Sequence, residues 1–303
     1  MMLQAIMDGL ISGTMIGLGA IGITLTYSIL RFANFAHGEF ISWGAYAALG
    51  VSSALATQFA GLAVPIGPFS FGWSLPIGLI VSMALSGLLA LVVDSLLFGK
   101  LRARKGAVII LVMAGFGAAL TLRSLLEFIF TSKPAYFTDA LQIAMRFGFG
   151  LRATPDQLLS LVVGAVLVIA VHQLLTHTPI GRAMRGVSEN PQLAGLAGVN
   201  VAHVIRFVWI LGASLAAVAG VMAGLLVQIR PHMGHDLLLP LFAAAILGGI
   251  GSVPGAMLAG LIVGLTEALS VQFIGAEWRA AVAFFILVGV LLLRPQGIFG
   301  RRA

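Results

Sequence analysis

A short polar stretch between two apolar segments carries the side chains best suited to chemistry. Residues 31–40 hold Asn34, His37 and Glu39, with Gly38 between the last two. They place an amide, an imidazole and a carboxylate beside membrane-length apolar runs. The stretch is either a capped turn on the cytoplasmic side or a helix break that lines a pathway. His37 and Glu39 are two residues apart and point different ways on a regular helix, which argues against a proton relay.

A second irregular stretch, 248–255, interrupts the longest apolar run, 237–272. The 14 residues of 237–250 reach only about 21 Å as a helix, less than the ~30 Å of a hydrocarbon core. We therefore expect a short, tilted or re-entrant helix. Irregular backbone at membrane depth survives only when it is buried in protein or faces a water-filled cavity. The alternatives are a functional or packing-critical break and a tight turn at the membrane surface. Three residues of the break are candidates for the pathway: Gly248, Gly249 and Gly251.

Composition defines the broad class of protein. The 303 residues are 60% hydrophobic and 9% charged, with a mean hydropathy of +1.08, whereas roughly a quarter of the residues in soluble proteins are charged. So few charges exclude a soluble globule, a disordered chain and a nucleic-acid-binding domain. The net charge of +7 lies mostly between apolar segments, where Lys and Arg set membrane orientation. The absence of cysteine excludes disulfides, thiolate metal sites and cysteine nucleophiles.

Apolar segments of spanning length recur along the whole chain. Besides the interrupted run, they are 9–30, 38–57, 74–98, 107–130, 157–175 and 204–229. The last span is predicted at about 280–293. The sequence predicts an all-α polytopic membrane protein, with 1–303 as a single transmembrane domain. We expect a bundle of about eight transmembrane helices with at least one broken or re-entrant helix. Small residues at four-residue spacing, such as Gly9, Gly13 and Gly17, predict close helix packing without identifying the partner helix.

Basic residues predict the orientation of the bundle. Ten Lys and Arg fall in 99–106, 176–206 and the C-terminal tail, and five fall in the connections on the other side. The positive-inside rule places the first group, including the C-terminus, in the cytoplasm. The side of the N-terminus stays open, because it depends on whether 237–250 crosses the membrane completely.

Several apparent motifs lack the context that their chemistry needs. Residues 17–22 match GxGxxG but lie inside an apolar span, and Gly99 and Lys100 lack the rest of a phosphate-binding loop. We therefore expect no ATP site and no cofactor on this chain. His232, His235 and Asp236 are expected in a short outer loop, either solvated or, less favoured, holding a metal.

Two ionisable residues lie inside one predicted span. Arg123 and Glu127 are four residues apart, so their side chains share a helix face. Charges inside a span usually pair or face the bundle interior. A structural ion pair between these two residues is favoured over a contact with substrate.

The connection 176–203 predicts two short helices outside the membrane. Pro179 and Pro191 can each open a helix, with Ser188 or Asn190 as the cap of the second. A mixed apolar face follows, made of Leu193, Leu196, Ala197 and Val199. An amphipathic helix of this kind either lies on the membrane surface or docks into a partner.

Three groups of residues resemble permease subunits of branched-chain amino acid ABC transporters, of the LivH type. The similarity runs from about residue 5 to residue 300. It rests on 34–39 with 44–46, on 181–200, and on 247–256 with 294–300. The second group resembles the cytoplasmic coupling loop, through Gly181, Arg182, Glu189, Asn190, Ala194 and Gly198. The general importer pattern is Glu-Ala-Ala with Gly four positions on. Here only Ala194 and Gly198 match it, and the nearest acid, Glu189, is displaced.

The resemblance implies a division of labour among several proteins. This chain and a related permease would form the pathway in the inner membrane of a bacterium. A periplasmic binding protein would deliver the amino acid, and two ATPase subunits would use ATP and dock on 176–203. This chain would then be a transport subunit and not an enzyme. The alternatives are a same-family importer of urea, short amides or other amino acids, and, outside the family, a self-sufficient secondary transporter or channel or an intramembrane enzyme.

Overall fold

The chain folds into a bundle of long helices with very little strand. The computed structural model describes residues 2–138, 142–147, 151–294 and 296–299. The helices, in chain order, are α1 (Met2–Leu30), α2 (His37–Gln58), α3 (Ala60–Ala63), α4 (Ser74–Val93), α5 (Gly99–Ala103), α6 (Val108–Phe130), α7 (Pro155–His177), α8 (Pro179–Glu189), α9 (Pro191–Leu196), α10 (Val201–Leu226), α11 (Met233–Gly248), α12 (Val253–Phe273) and α13 (Arg279–Leu293). A π-helical turn, Asp94–Phe98, joins α4 to α5, and β1 (Met145–Arg146) pairs antiparallel with β2 (Arg152–Ala153).

Eight helical segments of the described residues are long and apolar enough to cross a membrane. They are α1, α2, α4 continued through α5, α6, α7, α10, α12, and α13 with the turn before it. The helix α11 has 16 residues, so it reaches about 24 Å and stays short of a ~30 Å hydrocarbon core. The predicted all-α polytopic membrane fold, with a broken helix, is confirmed.

Helix α1 packs directly on α12 along a line of glycines. A Cβ atom added at Gly13 would lie 2.7 Å from the Cα of Leu261 and 2.9 Å from the carbonyl oxygen of Gly260. One added at Gly9 would lie 2.7 Å from the Cα of Leu265. The backbones are therefore in contact, which only small residues permit. The four-residue spacing of small residues is confirmed as a packing signal, and the structure identifies the partner helix.

The two ends of α1 lie on opposite faces of the bundle. Arg31, just after α1, donates a hydrogen bond to the carbonyl oxygen of Ser188 in α8. Gln4, in the first turn, accepts one of 3.0 Å from the backbone N–H of Arg152 in β2. We call the face that carries α8 and α9 the α8 face. The N-terminus, whose side the sequence left open, therefore lies opposite the α8 face.

The described segment after α13 returns to the end of α11. The backbone N–H of Ile298 donates to the carbonyl oxygen of Leu247, at 2.7 Å. Two predicted features at the C-terminus, the motif 294–300 and the basic tail, fall partly outside the described residues. Pro295 and 300–303 are not described.

Candidate functional site

The polar stretch after α1 runs back into the bundle instead of turning at its surface. Arg31 lies at the α8 face, yet the Nε2 atom of His37 lies 3.2 Å from the carbonyl oxygen of Gly19. Gly19 precedes Leu30 by about three helical turns, or about 17 Å at 1.5 Å per residue. Helix α2 therefore begins deep inside the bundle. Of the two interpretations of 31–40, the structure supports an interior helix break and not a surface turn.

The polar residues of this break contact three different parts of the protein. The Oδ1 atom of Asn34 accepts a hydrogen bond from the N–H of Ala36, at 3.1 Å, and so holds the turn itself. His37 packs on α1, where a Cβ added at Gly22 would lie 2.5 Å from its ring. Glu39, fully buried, turns away towards α6. The expectation that His37 and Glu39 point different ways is confirmed.

Glu39 forms an ion pair with Arg123 of α6. The Nη2 atom of Arg123 lies 2.7 Å from Oε1 of Glu39, and its Nε atom donates to the same oxygen at 3.2 Å. The expected pair between Arg123 and Glu127 is wrong, because Glu127 instead lies 3.0 Å from Nε2 of His232. The side chain of Glu39 is 0% exposed and that of Glu127 is 33% exposed. Leaving a fully buried carboxylate unpaired costs more free energy than leaving a partly exposed one unpaired. Arg123 therefore pairs with Glu39 and not with Glu127.

The N-terminal ends of α2 and α11 meet in the same region. A Cβ added at Gly38 would lie 2.6 Å from the carbonyl oxygen of Gly234. The hydroxyl of Ser42 donates to the carbonyl oxygen of Pro231 and accepts from the N–H of Gly234, both at 3.0 Å. Two helices thus start side by side inside the bundle. Each has an acidic residue in its first turn, Glu39 in α2 and Asp236 in α11, and the negative charge interacts favourably with the positive N-terminal end of the helix dipole.

The expected outer loop was wrong for two of its three residues. His235 and Asp236 are helical, whereas His232 precedes the helix. Helix α11 starts at Met233, so His235 and Asp236 lie in its first turn and His232 lies immediately before it. The side chain of His232 reaches Glu127. Within the described ranges, no three His, Cys, Asp or Glu side chains converge as a metal site would require.

The glycine break between α11 and α12 also lies against α1. Gly249 has φ +88° and ψ 126°, and Gly251 has φ +89°. The N–H of Gly251 donates to Oγ1 of Thr24, at 2.7 Å, and Ser252 caps α12 by accepting from the N–H of Gly255. Gly248 packs on the backbone of Gly255. The two breaks thus lie along the same half of α1, His37 beside Gly19 and Gly251 beside Thr24.

Alanine at Gly249 is expected to lower the free energy of unfolding by about 1–3 kcal/mol, because its φ and ψ belong to a region open essentially to glycine alone. Thermal unfolding in detergent measures the effect. The matched control is Gly117→Ala in α6, where an added Cβ meets nothing within 4 Å. Equal unfolding midpoints for the two variants would show that the break carries no backbone constraint.

The connection after α7 forms two short helices, as predicted, and each of them has an N-terminal cap. Helix α8 begins at Pro179, where Oγ1 of Thr178 accepts from the N–H of Gly181, at 3.2 Å. Helix α9 begins at Pro191, where Oδ1 of Asn190 accepts from the N–H groups of Gln192 and Leu193, at 2.9 and 3.1 Å. The cap of α9 is therefore Asn190 and not Ser188. Each proline occupies the first turn, where its missing N–H costs nothing.

The six residues singled out in this connection divide into buried and exposed positions. Gly181 and Ala194 are buried, and Gly181 packs on the carbonyl groups of Leu174 and Leu175. Arg182, Glu189, Asn190 and Gly198 are exposed, and Gly198 has φ +86° where the chain leaves α9.

Two leucines of α9 project from the α8 face. Leu193 is 62% exposed and Leu196 is 86% exposed. They lie three residues apart, so they share one side of the helix. The sequence had placed both on an apolar face, but neither was among the selected coupling residues. The signal that could have selected them is large apolar side chains on a helix outside the membrane.

A many-spanned bundle with interior helix breaks and a capped helix pair on one face fits the architecture expected of a membrane transport permease. Residues 5–291 match the family model described as branched-chain amino acid transport system / permease component, and the chain belongs to this family. It is 31% identical to the high-affinity branched-chain amino acid transport system permease protein LivH of Escherichia coli K12, over 99% of this chain and 96% of that protein. It is 32% identical to BraD of Pseudomonas aeruginosa, over the same shares.

A solved structure shares the fold at low sequence identity. PsaBC from Streptococcus pneumoniae in complex with Fab matches with a TM-score of 0.51 and 15% identity. The match covers 96% of this chain and 92% of that one. The likeness concerns the arrangement of helices alone.

Proposed function

We propose that this chain is the transmembrane permease subunit of an ATP-driven importer of branched-chain, aliphatic amino acids. The substrate class is supported by LivH and BraD, two branched-chain amino acid permeases that this chain matches over nearly their whole length. The chain would form the pathway together with a second, related permease. A periplasmic binding protein would supply the amino acid on the side opposite the α8 face.

The pair of exposed leucines on α9 is the observation that carries the coupling role. Two apolar side chains outside the membrane-spanning segments favour a protein partner that covers them. Two ATPase subunits, which would bind and hydrolyse ATP themselves, fit that place. The α8 face and the C-terminus would then be cytoplasmic, in a bacterial inner membrane, in agreement with the basic connections. The chain itself would act as a transport subunit without catalysis or a cofactor.

Helix α8 is suited to transmit movement to the pathway. It contacts the end of α1 through Arg31 and Ser188, and both interior breaks lie along the second half of α1. Displacement of α8 and α9 by closing ATPases would therefore shift the helix against which both breaks pack. Rigid helices carry such a shift over their whole length.

Uptake into vesicles tests the proposed function. The assembled transporter, with its binding protein, should accumulate leucine only when ATP and the ATPase subunits are present. Uptake driven by an ion gradient with this chain alone would refute the proposal in favour of a secondary transporter. Transport of urea or short amides in place of aliphatic amino acids would refute the substrate class.

Leu196→Asp is expected to weaken association with the ATPase subunits by about ten-fold or more, since a desolvated carboxylate at an interface costs more than the 1.4 kcal/mol that ten-fold represents. Co-purification from detergent extracts measures it. Leu196→Met keeps the apolar contact and serves as the control. Because the side chain is 86% exposed, membrane insertion should be unchanged. Equal recovery of ATPase with both variants would remove α9 from the docking surface.

A further inference from the structure

An open cleft of ≈ 410 Å³ lies on the face opposite the α8 face, beside the contact between α1 and α12. The first turns of α1 line it with Gln4, Asp8 and Ser12, and the last turns of α12 line it with Ala268 and Gln272. The first residue of α13, Arg279, also lines the cleft. The volume is in the range of sites that hold one small ligand, roughly 300–1,000 Å³.

Two opposite charges line the cleft without neutralising each other. The Oδ1 atom of Asp8 accepts a hydrogen bond from the side-chain amide of Gln4, at 3.1 Å. Within the described ranges, no ion pair joins Asp8 to Arg279 or to any other cation. A ligand that has both an anionic group and an ammonium group would therefore find a partner for each of them in this one cleft.

Arg279 is held in place by a buried carboxylate. Its Nε atom donates to Oε2 of Glu267, at 2.8 Å, and the side chain of Glu267 is 2% exposed whereas that of Arg279 is 51% exposed. Among the described residues, neither Nη group of Arg279 has a hydrogen-bond partner. A guanidinium group fixed at one end and accessible at the other is well suited to a phosphate group, which it binds through parallel hydrogen bonds.

The residues around the cleft are those of a membrane surface. Trp278, immediately before Arg279, is more than half exposed, and tryptophan is enriched where the hydrocarbon core meets the headgroups. Phe273 and Ile274, at the end of α12, are also more than half exposed. In α13, Ala283 is the one buried residue, so the rest of this apolar helix faces its surroundings. The cleft therefore lies at the level of lipid headgroups, beside a surface that suits acyl chains.

We propose that the cleft binds the headgroup of one phospholipid that carries a primary ammonium group. Its phosphate would contact Arg279, its ammonium group would contact Asp8, and its acyl chains would lie against the exposed apolar side chains of α13. A free amino acid has the same two charges but would leave the apolar surface beside the cleft uncovered. The inference needs only the membrane-spanning fold and does not depend on the cargo.

Lipid retention measures the proposed contact. The full chain is incorporated into vesicles of equal parts phosphatidylethanolamine and phosphatidylglycerol and extracted in mild detergent, and its bound phospholipids are quantified by mass spectrometry. The unmodified chain should retain phosphatidylethanolamine in excess. Asp8→Asn should lower the ratio of the two lipids by about three- to five-fold, the scale of a partly exposed ion pair. The control, Glu277→Gln, removes the same charge from an exposed position that does not line the cleft and should leave the ratio unchanged.

A charge reversal gives a second, independent readout. Asp8→Lys should make phosphatidylglycerol the preferred lipid, because a second cation repels the ammonium group and attracts an anionic lipid. Asp8 is exposed, so both variants should insert into the membrane normally. Equal lipid ratios in the unmodified chain and in both Asp8 variants would overturn the inference. It would also be overturned if the unmodified chain retained no excess of phosphatidylethanolamine, or if millimolar leucine displaced that lipid and so identified the cleft as a site for free amino acids.

Discussion

Replacing Gly13 by leucine is expected to prevent most of the chain from folding and to lower the free energy of unfolding of any folded fraction by more than about 3 kcal/mol. Overpacking a core usually costs about 1–3 kcal/mol when side chains can shift. Here the first added atom already lies 2.7 Å from the Cα of Leu261. The backbone of α12 would have to move away from α1. Thermal unfolding in detergent, together with the yield of monodisperse protein, measures the loss.

The same substitution at an open glycine isolates the contribution of the contact. Gly117→Leu introduces an identical side chain into a membrane-spanning helix, and its Cβ would meet nothing within 4 Å. We expect this control to fold with an unfolding midpoint close to that of the unmodified chain. If Gly13→Leu and Gly117→Leu behaved alike, the close approach of α1 and α12 would be incorrect.

Removing Arg123 alone is expected to cost about 3–5 kcal/mol of stability, because it leaves the carboxylate of Glu39 buried without its partner. The Arg123→Met variant tests this by its free energy of unfolding. Removing both charges, as in Arg123→Met with Glu39→Leu, should recover most of the loss. Apolar replacements of a buried ion pair are often neutral, since the pair itself must offset a large desolvation cost.

A double-mutant cycle separates the ion pair from other effects of these substitutions. The single Glu39→Leu variant completes it, and Arg182→Met changes an exposed arginine as the control. If the losses of the two single variants simply added in the double variant, Glu39 and Arg123 would not interact. A destabilised Arg182→Met variant would point to a general effect of losing positive charge.

Features with a local signal were predicted correctly from the sequence. The spans follow from runs of apolar residues, because a helix in lipid satisfies its own backbone groups and needs only length and hydropathy. The prolines that open α8 and α9 and the Asn190 cap of α9 were recognisable because these signals are local, and the cap joins residues two or three apart. The glycine break was recognisable because the apolar run before it is too short to cross.

Features made by distant residues were missed or assigned wrongly. Arg123 pairs with Glu39, which is 84 residues away, and not with Glu127 on the adjacent turn. The four-residue spacing made the local pair plausible, but burial decided which carboxylate receives the guanidinium.

The sequence by itself determined that this protein is a helical membrane protein with a helix pair outside the bundle, because these features follow from composition, run length and local capping. The permease class came from the resemblance of its motifs to a known family. The tertiary structure decided that the stretch after α1 runs back into the bundle and that α2 and α11 begin together. It also decided that both breaks lie along one half of α1. These features depend on which helices approach closely enough for backbone contact, and that choice depends on packing between residues far apart in the chain.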